Sequence, residues 1–442
     1  MINITRIVGD FDEAKFKDVI SRPLFADEEI ARLVTEIVRT VREGGDQAVF
    51  EYARKFDGVD LTGENLRVSK EELKHAYEKT EKEFLLALKA AKRNILSFHR
   101  KRRSRTWSYS KEGIVLGQLI IPIARVGIYV PGGQAAYPST VLMNAIPPLV
   151  AGVSEIAMCV PAQKSGEVNP FTLVAASEVG VEEIYKVGGA QAIAAMAYGT
   201  ESIRKVDKIC GPGNIYVTLA KKAVMGEVGI DMLAGPSEIL VLADENASPR
   251  FIAADMLAQA EHDPRASALL ATNSEELANA VGLELEHQVE ELERSDIARR
   301  SLQENGRIFI LDSLEVAIRL VNAIAPEHLE LAVANPRDSL SKIRNAGAIF
   351  LGNYSPEAVG DYVAGPSHVL PTAGTARFAS PLNPDDFVKK SSIISYSKES
   401  LRKAAPLVRE IAKAEGLEAH ARSVSIRLES ESDAGDHGEP EA

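Results

Sequence analysis

The chain has 442 residues, 45% of them hydrophobic, and its 51 basic against 63 acidic side chains leave a formal net charge of -12. That length exceeds one compact core and predicts two or three globular domains. The acidic balance repels phosphate backbones and anionic lipid, which argues against nucleic acid and membranes as partners.

In chain order, Met1 to Phe16 lacks the apolar run of a signal sequence, and residues 1–24 read as an N-terminal segment. Helical spacing follows over Asp27 to Arg42 and Lys70 to Arg100, a segment that caps or braces the rest, with Lys101-Arg102-Arg103 as a solvated helix end. Beyond the turn at Lys111-Glu112-Gly113 the pattern switches to short β-rich runs. These are Val126 to Val130, Glu155 to Val160, Glu183 to Val187, Lys205 to Cys210, Glu238 to Leu242, Ala268 to Thr272, Arg307 to Leu311 and Ala348 to Leu351. Helical patterns fill most gaps, at Thr140 to Val150, Pro170 to Glu178, Ala190 to Tyr198, Ile215 to Met225, Pro249 to His262, Ser274 to Leu292 and Leu314 to Ala325. The alternation predicts an α/β fold of two parallel sheets with helices on both faces. Ala404 to Arg427 reads as helix interrupted at Gly416, and Glu429 to Ala442 as a disordered acidic tail. Proline or glycine breaks every long apolar stretch, and Cys159 and Cys210 sit singly in apolar runs, as reduced thiols of a soluble cytoplasmic protein do.

Parallel sheets bind ligands beyond the carboxyl ends of their strands. Glycine-rich turns fall there: Val130-Pro131-Gly132-Gly133-Gln134, Val187-Gly188-Gly189-Ala190-Gln191 and Cys210-Gly211-Pro212-Gly213-Asn214. None is a GxGxxG fingerprint or a phosphate-binding Walker loop. Each alone asks for no more than a tight strand-to-helix turn. Three in adjacent units, followed by Gln134, Gln191 and Asn214, read as a ledge of amides for a polar ligand, with helix-start N–H groups suited to pyrophosphate.

Gln259 and His262 stand three residues apart at a helix end that Pro264 closes, either facing water or gripping one small object such as a metal ion. Glu327-His328 follows Pro326 after an amphipathic helix; it reads equally as an acid/base pair or as a capping pair on a surface loop. Asp361 and His368 lie in glycine- and proline-bounded loops. Gln259, His262, Asp361 and His420 together would offer nitrogen and oxygen donors that suit zinc or manganese, with no thiolate. His75, His99 and His287 are placed on helix surfaces, and His437 in the tail.

These residues sit in stretches that resemble histidinol dehydrogenase: 126–144 (VGIYVPGGQAAYPSTVLMN), 187–200 (VGGAQAIAAMAYGT), 210–217 (CGPGNIYV), 231–238 (DMLAGPSE), 259–262, 325–329 (APEHL), 365–378 (GPSHVLPTAGTARF) and 414–422 (AEGLEAHAR). The resemblance implies two Rossmann-like domains lacking GxGxxG, one from 25–128 with 237–382 and one from 129–236. It also implies a C-terminal arm, 383–428, exchanged across a homodimer. The implied reaction oxidises L-histidinol to the aldehyde and then to L-histidine, reducing two NAD. By motif, Gln259, His262, Asp361 and His420 resemble the ligands of one zinc per subunit, with manganese as an alternative. Glu327 and His328 resemble the proton acceptors. Tyr129, Gln191 and Asn214 match NAD contacts, and Ser237, His368 and Glu415, with His328 and the four ligands, match the substrate's surroundings. Asp263 and Ser367 stand where the family often has glycine and asparagine. The alternative is a paralogue oxidising another small polar alcohol, which an added pocket cation would mark; no such cation is evident in the sequence.

Overall fold

A computed structural model describes residues 2–9, 13, 17–20, 28–132 and 136–429. Gln134 and the tail from residue 430 lie outside the described residues. The described residues hold fourteen strands interspersed with helices: β1 (Asn3–Ile7), β2 (Trp107–Lys111), β3 (Ile114–Pro122), β4 (Arg125–Tyr129), β5 (Glu155–Cys159), β6 (Glu183–Tyr185), β7 (Lys208–Cys210), β8 (Gly229–Ile230), β9 (Glu238–Ala243), β10 (Ser267–Thr272), β11 (Arg307–Leu311), β12 (His328–Ala332), β13 (Ala348–Leu351) and β14 (Val388–Tyr396). They form two parallel sheets, as the alternation predicts, and one antiparallel sheet. No helix among the described residues is long and apolar enough to cross a membrane.

The six-stranded sheet runs β1-β11-β10-β9-β12-β13 and the five-stranded sheet β6-β5-β4-β7-β8. Within each, the first strand of its continuous run lies in the middle, the next two go to one side and the last two to the other. The winding therefore reverses between β9 and β12 in one sheet and between β4 and β7 in the other, where a crevice opens. β9, β10 and β12 are buried along their whole length, because helices cover both faces.

The helical N-terminal segment packs on the five-stranded sheet's helical layer. Val34, Ile37, Val38 and Val41 of Glu28–Tyr52 bury against the helices Gly189–Tyr198 and Ile215–Val224. Lys70–Arg100 is two helices, Lys70–Glu78 and Lys82–Arg100, since Ser69 and Glu72 form a capping box at the first and the chain breaks before Lys82. Lys82–Arg100 packs against the short turn that holds Asp361: Asn94 Nδ2 donates to the Val363 carbonyl (2.8 Å). His99 is a correction, for its ring is 1% exposed with neither nitrogen hydrogen-bonded, and burial pushes its pKa down to about 4.

Two compact units emerge: the described residues of 1–103 with 123–387, which hold both parallel sheets, and those of 104–122 with 388–442. Residues 104–122, grouped by the sequence boundaries with the first sheet domain, pair instead with the C-terminal arm. In that second unit β3 pairs antiparallel with both β2 and β14. The helices Lys398–Ala414 and Glu418–Ile426 follow, broken at Gly416 (φ 69°) as expected.

Candidate active site

The helix Leu314–Ile324 ends at Ala325, which takes a left-handed φ of 52°. Pro326 follows, and β12 starts at His328, so the acid/base candidates sit on a buried central strand instead of a surface loop. The reversal aims both side chains at one residue of β9. Glu327 Oε2 accepts the Glu238 N–H (2.8 Å), and His328 Nδ1–H donates to the Glu238 carbonyl (3.0 Å). A carbonyl only accepts, so this bond fixes the tautomer and leaves Nε2 as the basic nitrogen of the neutral ring. Nε2 has no hydrogen-bond partner and faces Asp361 Oδ1 at 3.8 Å.

Three more elements converge on this point. The helix Pro249–Ala260 presents Gln259, fully buried, in its last turn, and His262 follows in the turn beyond, open at the cavity surface. Asp361 sits in the π-helical turn Gly360–Ala364, and His368 Nδ1–H donates to the Asp361 carbonyl (3.1 Å). Glu357, which sequence reasoning missed, lies one turn before Asp361. Its Oε1 is 3.6 Å from His328 Nδ1. In the orientation that satisfies both ends of the Gln259 amide, its nitrogen donates to Glu357 Oε1 (3.0 Å) and Oε2 (3.2 Å) and to the Glu238 carbonyl (3.3 Å). That turns the Gln259 carbonyl oxygen to the side away from the Glu357 carboxylate. The detectable signal was spacing: Glu357 and Asp361 are four apart in Pro356-Glu357-Ala358-Val359-Gly360-Asp361.

The electrostatics are those of an anionic pocket short of a cation. Burial raises the Glu327 pKa to about 8 and that of Glu357 to about 7, although the adjacent His328 charge opposes both shifts. Burial disfavours the His328 imidazolium, but the Glu357, Glu327 and Asp361 carboxylates outweigh it and push its pKa well up. Asp361 is held below its ordinary value, because His328 and the charges of His368 and His262 overcome its burial. Ligand atoms of His328, Glu357 and Asp361 lie within 4.8 Å of one another. Oxygen and imidazole donors, excess negative charge and the carbonyl end of a helix at Gln259 all suit a divalent cation. The residues fit the metal that the family resemblance implies.

These groups lie at the amino ends of β9 and β12, where the rule for parallel sheets did not place them. In the other sheet the glycine-rich turns do lie at carboxyl ends. There Tyr129 ends β4, is buried, and its hydroxyl accepts the Gly189 N–H (3.0 Å). Asn214 caps Ile215–Val224, its Oδ1 accepting the N–H groups of Tyr216 (3.1 Å) and Val217 (3.2 Å). Gln191 is 1% exposed and its amide nitrogen has no partner. Such an orphaned donor beside Gly189 is consistent with a polar cofactor on this edge. One cavity of about 1060 Å³ joins the two edges, lined by Tyr129, Gly132, Pro212 and Asn214 on one side and Ser237, His262, Glu327, His328, Glu357, Asp361 and His368 on the other. That volume lies at the top of the range for small-molecule sites.

Asp263 and Ser367 serve local turns, accepting the N–H groups of Arg265 (2.8 Å) and Val369 (3.1 Å). Arg265, Arg294 and Arg307 also line the cavity, cations the sequence did not place there. Each is engaged, Arg265 with Asp263 and the other two with the carbonyls of His262 and Gly306. Glu415 and His420 belong to the second unit, where both are exposed.

The family model described as histidinol dehydrogenase matches residues 20–428. A histidinol dehydrogenase of Bacillus cereus is 54% identical over 428 residues, covering 96% of this chain and 99% of its own. One from Caldanaerobacter subterraneus is also 54% identical, over 97% and 99%. A crystal structure of histidinol dehydrogenase from Elizabethkingia anophelis superposes with a TM-score of 0.92 at 40% identity, covering 97% of this chain and 98% of that one.

Proposed function

The chain belongs to the histidinol dehydrogenase family, and we propose that it carries out the zinc-dependent, NAD-linked oxidation of L-histidinol through L-histidinaldehyde to L-histidine in the cytoplasm. The observation that carries this reading is one cavity with two unlike walls, one of titratable donors and one of glycine-rich turns with Asn214. A divalent cation among Gln259, His262, Asp361 and His420 of the partner subunit would supply a template for the substrate's imidazole and amine, and NAD along Tyr129, Gln191 and Asn214 the hydride acceptor.

The chain's own residues move the protons. His328 Nε2 takes the proton of the alcohol oxygen as hydride leaves the adjoining carbon, while the Glu238 carbonyl holds the ring in place. Glu327, anchored by the Glu238 N–H, removes a proton from the water that adds to the aldehyde carbon. The hydrated aldehyde then yields the second hydride and the acid. Ser237, His368 and the partner subunit's Glu415 orient the substrate. Glu357 holds Gln259 through its amide nitrogen.

Exposed Trp107 and Tyr109, stacked on β2, and exposed Leu407 and Ile411 on Lys398–Ala414 support a homodimer made through the second unit. The test of the reaction is stoichiometry: two NADH per L-histidinol consumed, activity lost on dialysis against a chelator and regained with zinc or manganese. Full turnover by enzyme shown metal-free by elemental analysis contradicts the reading. Mixing two inactive variants, Asp361→Ala and His420→Ala, tests the shared site. Activity returns on co-refolding if the arm completes the partner's site, and the mixture stays dead if it serves its own chain.

A further inference from the structure

Away from the titratable cluster, one buried ion pair has no part in the chemistry above. Lys221, on the helix Ile215–Val224, and Asp231, directly after β8, are in contact with side chains 3% and 0% exposed. Burying two charges costs several kcal/mol per ion, and the mutual attraction repays this only with good geometry, so such a pair is weak grounds for stability. Its geometry here is specific. Lys221 Nζ donates to the Gly211 carbonyl (3.0 Å), and Asp231 Oδ2 accepts the Gly211 N–H (2.8 Å). One ion pair therefore grips both faces of one residue's backbone.

Gly211 is the first residue after β7, at the reversal of strand order beside β4. Its φ is 120°, and a Cβ there would lie 2.0 Å from the Tyr129 carbonyl oxygen. The β7 turn thus presses directly on the end of the strand that carries Tyr129. Three residues on, Asn214 starts the helix that carries Lys221, so the clamp closes a small ring around Pro212, Gly213 and Asn214, all of which line the cavity. Asp231 also opens the segment that leads to Ser237 and Glu238, where Ala234 is held by Thr218 (3.0 Å).

We propose that Lys221 and Asp231 are positioning residues for the dinucleotide, holding the Gly211–Asn214 loop in its cofactor-accepting shape before the cofactor arrives. This rests on the assignment of NAD to that edge. Preorganisation of this kind lowers the ordering cost of binding. It acts on cofactor affinity and leaves the metal and substrate side untouched.

The test measures NAD binding to the purified enzyme by calorimetry, alongside melting temperature, zinc content and L-histidinol binding. Lys221→Met with Asp231→Asn removes the tether to the carbonyl without leaving an unpaired buried charge. This folded variant is expected to bind NAD at least tenfold more weakly, with zinc content and L-histidinol affinity unchanged. Lys221→Gln with Asp231→Asn keeps a donor and an acceptor for Gly211 and should restore NAD affinity to within threefold of the native enzyme. Equal NAD affinity in a folded Met/Asn variant and the native enzyme overturns the proposal. If the Met/Asn variant does not fold, amide exchange of the native enzyme decides. The Gly211 N–H must exchange slowly with and without NAD, and protection that arises only on adding NAD overturns the proposal. Failure of the native enzyme to bind NAD would refute the cofactor assignment itself, a separate outcome.

Discussion

The two parallel sheets share one strand order, yet their amino edges are built oppositely. In the five-stranded sheet Arg125, Glu155 and Glu183, the first residues of β4, β5 and β6, form a closed network with Arg204. Arg125 reaches Glu155 at 2.8 Å and Glu183 at 2.6 Å, and Arg204 reaches them at 2.6 and 2.8 Å. Two positive charges meet two negative ones, and the Arg125 guanidinium draws the Glu183 pKa down to about 2. In the six-stranded sheet the same edge brings Glu238, Glu327, His328, Glu357 and Asp361 together, and burial drives Glu327 up to about 8. The shared winding thus yields an ion-paired edge in one sheet and a carboxylate-rich edge around His328 in the other. The carboxylate-rich edge holds the perturbed groups that the proposed cation and proton chemistry would use.

The contrast also accounts for which edge faces which ligand in the proposed reading. Helix amino ends at carboxyl edges favour anions such as a pyrophosphate. The carbonyl end of Pro249–Ala260 at the amino edge favours a cation.

The comparison breaks most visibly in turnover. His328→Ala is expected to slow L-histidinol oxidation by roughly 10²–10⁴-fold, the usual contribution of one positioned acid or base. Glu327→Gln should slow the oxidation of supplied aldehyde far more than the first hydride transfer. Rapid single-turnover measurement of each half-reaction reads this, and equal losses in both steps for both variants contradict the division of labour.

Next in size is the ion-paired edge itself. Arg125 is 6% exposed, and Arg125→Met should cost about 3 kcal/mol by leaving its carboxylates without their buried partner. Urea denaturation checks it, with kcat expected to change little in the folded variant. Because the folded pKa of Glu183 lies below its ordinary 4.5, its contribution is present above about pH 4.5 and fades as pH falls towards 2. Arg125→Met should flatten that acid slope.

The smallest effect has the opposite sign. In metal-free enzyme the raised Glu327 pKa makes its contribution present at low pH and lost as pH rises from 4.5 through about 8. Glu327→Gln should therefore gain stability relative to the native protein at pH 9 and not at pH 5. A difference of about 2 °C in melting temperature per kcal/mol is within calorimetric reach. Parallel pH profiles for the two proteins would mean that Glu327 is not a strained carboxyl.

Much of this architecture was legible. All eight predicted strands are present, and the acid/base candidates Glu327 and His328 lie in one unit with three of the four candidate ligands. What stayed hidden had physical causes. β12 was not recognised because Glu330 interrupts its apolar run; the structure buries that carboxyl against Asp255 at the cost of a pKa near 9. β14 was missed because its partner β3 lies some 270 residues away, and no local pattern records that pairing. Glu357 opens the three-residue helix Glu357–Val359, and its only mark in the sequence was the distance to Asp361.

The central claim is that cation and proton chemistry belong to one edge and dinucleotide binding to the other. The most direct measurement is a paired titration of Asp361→Ala and Gln191→Leu, recording zinc content by elemental analysis and NAD affinity by calorimetry. Asp361→Ala is predicted to lose its metal while NAD affinity stays within threefold of native, and Gln191→Leu to keep its metal while NAD affinity falls at least tenfold. Loss of both ligands together in either folded variant would contradict the division between the two edges.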